Sequence, residues 1–163
     1  MRLNRWLERT YAASSTRPAR GLIRAAGAIH RLAIISTGGR IGADLLDHPI
    51  LLLRTIGRRS GKLRTQPLMY LQEADCYVVA ASFGGHDQDP AWLTNIRATP
   101  QATIMVAGRE IPVLAAILAP NERERLWPRF LSLSPAYEKY QRSTNRQIPI
   151  VRLCPAEPDR AQI

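Results

Sequence analysis

Four cations stand within the seven residues Arg58-Arg59-Ser60-Gly61-Lys62-Leu63-Arg64, directly after Gly57. Like charges at that density repel unless an anion lies among them, so the stretch reads as a grip for phosphate or carboxylate. Gly57 and Gly61 allow tight or left-handed backbone, which can also aim successive N–H groups at one anion. It is not the nucleotide-hydrolysing G-x-x-x-x-G-K-[ST] loop, because Gly61-Lys62 is followed by Leu63 and the preceding glycine is only four residues back. The plainer alternative is a hairpin turn whose charges serve solubility.

A second candidate is Ala80-Ala81-Ser82-Phe83-Gly84-Gly85-His86-Asp87-Gln88-Asp89-Pro90. Small residues at a strand end admit a flat ligand, and Trp92 and Asn95 on the first turns of the following helix face the same region. A glycine-rich strand-to-helix turn is common without any ligand. The third is Tyr137 and Tyr140, three residues apart on a short helix and so on one side of it, where two phenols can donate protons or simply belong to an amphipathic core. No set of nucleophile, base and orienting group stands out, and the carboxylates are too scattered for a glycosidase-like pair. Cys76, Cys154, His30, His48 and His86 show no zinc-ligand spacing. Both cysteines border apolar runs, which suggests free, buried thiols in a reducing, cytoplasmic setting.

The elements that must position these groups begin at residue 50. Residues 50–56 read as a strand, 57–62 as a turn, and 64–72 as the hairpin partner, with Pro67 marking an edge or bulge. Residues 76–82 form a third strand, 101–107 and 110–118 a hairpin around Gly108, and 147–153 a sixth strand. Asp89 reads as an N-cap with Pro90 at the first position of a helix that runs to about Arg97, and Pro100 stops it. Residues 121–132 and 135–143 are two further short helices. Strands and helices do not alternate regularly, so a small, mostly antiparallel barrel of the α+β class is expected, not a doubly wound sheet.

Residues 1–49 differ, with eight Arg, three acids and none of the β-branched runs that follow. Leu22, Ala25, Ala26, Ile29, Leu32 and Ala33 share one side of a helix, and Arg20, Arg24 and Arg31 gather opposite them at about 100° per residue. This basic amphipathic helix suits either packing on the domain or a membrane surface. Residues 21–36 are too interrupted by charge for a signal-peptide core or a membrane span. The organisation expected is a helical extension (1–49), one barrel domain (50–155) and a frayed tail (156–163). With 163 residues, 45% apolar and 22% charged, the chain fits a single globular domain. A net charge of +10, almost all of it Arg, calls for an acidic partner. Aromatics at 6% and the lack of any DNA-reading motif argue against nucleic acid.

Four stretches then match a known family together, in order and spacing: LLLRTIGRRSGKLRTQPLMYL (51–71), VVAASFGGHDQDPAWLTNIRATP (78–100), RLWPRFLSLSPAYEKYQ (125–141) and IPIVRL (148–153). Over residues 50–155 the chain resembles the deazaflavin-dependent nitroreductases, also called F420H2-dependent quinone reductases. The resemblance implies a flavin-reductase-like split β-barrel and an enzyme that passes a hydride from reduced F420 to a quinone or nitroaromatic. It implies that Arg58, Arg59, Ser60, Lys62, Arg64 and Pro67 hold the cofactor's phosphate, acidic tail and linker. Ala80, Ala81, Ser82, Trp92 and Asn95 would hold or border the deazaflavin ring, with Ser82, Tyr137 and Tyr140 as the catalytic candidates.

Tyr137 and Tyr140 would also roof the acceptor, beside Met69, Phe83 and Ser134. Members that activate nitro drugs tend to carry Tyr at the positions of Met69 and Ser134 and Lys at that of Phe83, so a flat, lipophilic quinone is the acceptor expected here. A non-catalytic F420 binder and a basic membrane or nucleic-acid module are the alternatives. Neither the monomer or dimer state nor FMN in place of F420 is decided by any motif.

Overall fold

The computed structural model describes residues 48–156. The basic helix with Arg20, Arg24 and Arg31, and the tail after residue 156, lie outside the described residues. Six strands form a closed antiparallel barrel: β1 (Ile50–Ile56), β2 (Leu63–Glu73), β3 (Cys76–Ala80), β4 (Gln101–Val106), β5 (Arg109–Ile117) and β6 (Ile150–Pro155), in the order β1-β2-β3-β6-β5-β4. Helices α1 (Ala91–Ala98), α2 (Pro120–Leu133) and α3 (Ala136–Arg142) complete it, with a short 3-10 turn at Phe83–Gly85. The expected barrel is present, with element ends moved by one to three residues. Among the described residues no helix is long and apolar enough to cross a membrane.

Alternation of side chains explains the layers. On β1, Leu51 and Leu53 face the barrel interior with Val79, Ile104, Val113 and Leu153, while Ile50 and Leu52 lie on the other face against Met69 and Met105. Helix α1 adds Trp92, Leu93 and Ile96 to the interior. Val78 and Ala80 point outward from β3 beneath α2 and α3, where Leu126, Phe130, Tyr137 and Ile148 cover them. Each such fully buried large side chain contributes about 1.5–3 kcal/mol relative to exposure. β3, apolar on both faces, is thus sandwiched between the interior and the helices.

Pro67 sits where the sequence placed it, at an edge. Tyr70 N donates to Pro49 O at 3.2 Å, and alternation along the β1–β2 register puts Pro67 at a non-hydrogen-bonded position opposite Leu52. Its missing N–H would face the β3 side, but β3 pairs with β2 only from Tyr70 to Glu73. The β4–β5 turn carries Ala107 and Gly108, both at positive φ (48° and 79°), as a two-residue hairpin of this hand requires.

Two expectations need correction. Cys76 and Cys154 are not free thiols: they form a disulfide, with Cα atoms 4.3 Å apart. The register Tyr77↔Leu153 sets them directly opposite each other on β3 and β6, 78 residues apart in sequence, and that pairing cannot be read from two isolated apolar runs. The thiols therefore give no support to a reducing compartment. At α1, the cap is Pro90 itself, in extended conformation, and the helix begins at Ala91. The Asp89 carboxylate is drawn instead to Arg97 (2.6 Å) and Arg146 (3.2 Å).

Candidate active site at one rim of the barrel

Topology gathers the candidate segments. β1, β3 and β5 run in one direction and β2, β4 and β6 in the other. The C-terminal ends of β1 and β3 and the N-terminal end of β6 thus share a rim. On it lie the 57–62 turn, the 81–90 loop and the α3–β6 connection.

The 57–62 turn is held by its own main chain. Gly57 N donates to Lys62 O (2.8 Å), and Ser60 N and Gly61 N both donate to Gly57 O (3.1 and 2.8 Å). Lys62 N reaches Ser60 Oγ at 3.4 Å, and Arg58 N donates to Asn95 Oδ1 at 3.1 Å. A side chain at Gly57 would crowd Ser60 Oγ (2.7 Å) and Lys62 O (3.2 Å), and Gly61 lies at φ +63°, the left-handed region that favours glycine. This corrects the expected backbone cradle: most of its N–H groups are already engaged, which leaves the side chains as the groups able to meet an anion. Those of Arg58, Arg59, Lys62 and Arg64 are exposed, and among the described residues none has a carboxylate within ion-pair distance. Pro67 is half-buried farther along β2.

Asn95 is buried and acts beneath the turn. Its Nδ2 donates to the buried Thr55 Oγ1 (3.0 Å) while its Oδ1 accepts from Arg58 N, so one side chain fixes the end of β1 and the start of the turn. Trp92, expected at the ring edge, is 6% exposed and packs into the barrel interior. Both residues support the rim from inside.

Ala80 and Ala81 are buried at the end of β3, and Ala81 N donates to Pro149 O at 2.8 Å. The chain then turns through Phe83, Gly84 and Gly85 at φ +48°, +64° and +81°. A Cβ at Gly85 would lie 2.8 Å from Tyr140 O and 2.9 Å from Ser143 Cβ, because the end of α3 rests on this glycine. Ser82 is half-buried, and its hydroxyl makes no capping bond to the 3-10 turn it precedes. Phe83 is 51% exposed, with its ring 5.1 Å from that of His86.

Arg146 was missed from the sequence. Its guanidinium donates to Ala81 O and Ser82 O (2.9 Å each) and to His86 O (2.8 Å), and it pairs with Asp89. Thr144, also buried, donates to Asp87 Oδ1 at 2.7 Å. The only local signal was an Arg and a Thr in a short polar connection, which points to nothing without the tertiary fold.

The two tyrosines share one side of α3, with ring centroids 6.1 Å apart. Tyr137 is 4% exposed and packs edge-on to Phe130 (5.2 Å) and Trp127 (6.2 Å). Burial first, and the neighbouring Tyr140 second, push its phenol well above the ordinary tyrosine range, so it stays protonated and is a poor acid. Tyr140 is half-buried at the cluster's margin. Ser134 is buried at the end of α2, where its N–H donates to Phe130 O, and Met69 is half-buried between two apolar clusters.

Comparisons with known proteins agree with this picture. The family model described as F420H(2)-dependent quinone reductase matches residues 28–155, reaching farther toward the N-terminus than the resemblance over residues 50–155. An F420H(2)-dependent quinone reductase of Mycobacterium tuberculosis (strain ATCC 25618 / H37Rv) is 35% identical over 158 residues, covering 94% of this chain and 98% of that one. The solved structure of an F420-H2 dependent reductase, FDR-A, is 36% identical with a TM-score of 0.59, over 64% of this chain and 93% of its own. A structure described as a domain-swapped dimer is 32% identical, TM-score 0.61, over 82% and 98%. With this match over most of its length, and a split barrel whose rim collects four exposed cations beside a small-residue loop, the chain belongs to the F420H2-dependent quinone reductase family.

Proposed function

We propose that the protein is an F420H2-dependent oxidoreductase whose acceptor is a quinone. The observation that carries this reading is the cluster Arg58, Arg59, Lys62 and Arg64: exposed, mutually repelling, without carboxylate partners among the described residues, and mounted on a turn fixed by its own bonds and by Asn95. Such a cluster fits a cofactor with a phosphate and an acidic tail. When bound, the reduced deazaflavin supplies a hydride, and reduction of the quinone to the hydroquinone takes up one further proton from solvent.

The chain's own residues bind and orient. Arg58, Arg59, Lys62 and Arg64 hold the acidic tail, with Ser60 and Pro67 along the linker. Ala80 and Ala81 let a flat ring approach, and the Ser82 hydroxyl, without a capping bond, is free to hydrogen-bond it. Asn95 and Trp92 position these groups from behind. Met69, Phe83, Ser134 and Tyr140 border the acceptor, and Tyr137 serves as the packed base on which Tyr140 stands. A wall of Met and Phe favours a lipophilic quinone over a nitroaromatic drug. We place the enzyme in the cytoplasm at the membrane's inner face, where the basic 1–49 segment would meet anionic lipid and the quinone pool; flotation with anionic vesicles tests that placement.

The test is a fluorescence titration of the full chain with oxidised F420 beside FMN, followed by anaerobic mixing of the F420H2 complex with menadione or a bicyclic nitroimidazole. Saturable micromolar F420 binding and menadione-dependent reoxidation are expected, with slower turnover of the nitroimidazole. Binding without reoxidation by either acceptor would make the protein a carrier. No binding would overturn the reading.

A further inference from the structure

We propose that Arg146 is a positioning residue for the reaction, acting by holding Phe83 in a backbone conformation that it would not keep alone. The proposal rests on the reductase reading for its functional part and on the geometry of the loop for its structural part.

A bulky residue at φ +48° is an outlier whose local cost the surroundings must offset. Positive φ also occurs at Ala74 and Ala107, but those are small residues in two-residue turns, where the hairpin demands it. At Phe83 no hairpin exists. The turn is closed by Gly85 N on Ser82 O (3.0 Å) and His86 N on Phe83 O (3.3 Å), and it is clamped from outside by four contacts of one guanidinium, which ties Ala81 O and Ser82 O on one side of Phe83 to His86 O and Asp89 on the other. Only a planar fork with fixed donors can satisfy acceptors so arranged, and the Arg146 side chain is only 15% exposed. Thr144 on Asp87 and the close seat of Gly85 under Tyr140 confine the same loop.

The result is an aromatic ring kept half in solvent at the rim, steadied against His86, when relaxation of the backbone would let it fold away. An exposed ring held at a local cost is suited to stacking on a flat aromatic acceptor. Arg146 thus sets the surface offered to the quinone without touching it.

The experiment uses the full chain as wild type, Arg146→Gln, Phe83→Gly and the double variant. Thermal melting without cofactor reads the coupling. Relief of the outlier makes the Tm change on Phe83→Gly more favourable by about 3 °C or more in the wild-type background than in Arg146→Gln, where the loop has already relaxed. Equal Tm changes in both backgrounds would overturn the clamp.

Steady-state kinetics read the function: Arg146→Gln raises KM for menadione about tenfold with kcat changed less, and Arg146→Lys does not restore it. An unchanged KM, or restoration by Lys, would overturn the positioning role. Should Arg146→Gln not fold, the melting cycle is run with Arg146→Lys, where a smaller coupling of the same sign is expected and none would refute the idea. Because melting needs no cofactor, a wild-type protein that failed to bind F420 would sink the reductase reading while the clamp is still judged by its own data.

Discussion

The two rims of this barrel are built on opposite plans. At the working rim, the cations of the 58–64 stretch have no carboxylate partner among the described residues, glycines and a phenylalanine take left-handed backbone, and buried polar side chains reach up to hold loops in place. At the far rim the connections are two-residue turns, Cys76 is bonded to Cys154, and Glu73 joins Arg125 (2.7 Å) and Arg152 (3.0 Å), with Arg152 also on Glu122 (3.0 Å). Charges that neutralise one another belong to stability. Charges left without a carboxylate among the described residues, on a frame that keeps them together, are the ones we propose for the ligand. Within one chain and one sheet, the contrast separates what maintains the fold from what the fold presents.

The widest test of that division removes the staple. Replacing Cys76 and Cys154 together by Ser should cost about 3–4 kcal/mol in urea unfolding, since the bridge closes a long loop, yet leave the F420 dissociation constant unchanged. A fall in affinity as large as the fall in stability would erase the contrast. Its mirror image is the triple variant Arg58→Ala/Arg59→Ala/Arg64→Ala, expected to weaken F420 binding about 100-fold, or about 2.7 kcal/mol, with Tm unchanged or raised by the relief of repulsion.

Smaller effects sharpen the comparison. Gly85→Ala forces a Cβ against Tyr140 O at a left-handed position and should cost about 2 kcal/mol while raising KM for the quinone, because the strained loop belongs to both accounts of the molecule. Smallest is Glu73→Gln. The hydrogen bond from Arg125, and then that from Arg152, hold the Glu73 carboxyl below the usual glutamate range. Because its folded pKa is lowered, its stabilisation is present above that range and is lost as pH falls through the lowered value. The variant should therefore lose about 0.5–1 kcal/mol at pH 7 and flatten the acid limb of stability against pH, with no change in F420 binding.

Much of this was legible in the residues. Alternation and short apolar runs placed all six strands, Pro67 marked where β2 loses its neighbour, and the cation density at 58–64 singled out the turn we propose as the anion grip. What escaped depends on contacts between distant segments. The disulfide follows from the β3–β6 register, which no local pattern encodes. Arg146 resembles any other arginine until the fold brings three carbonyls around it. Tyr137 and Tyr140 share a helical face, and only the packing of Phe130 and Trp127 against that face tells the buried phenol from the marginal one. Asn95 and Trp92 were expected beside the ring, and one-dimensional spacing does not say that both are buried, Asn95 beneath the 57–62 turn and Trp92 in the barrel interior.

The Ala107–Gly108 turn at the far rim suggests a use. The chain has only two cysteines, and they are bonded to each other, so a thiol introduced at this turn would be the sole reactive one. Coupled there to an electrode or a bead, every molecule would be fastened by the same end, with the rim we propose for the cofactor turned outward to the solution.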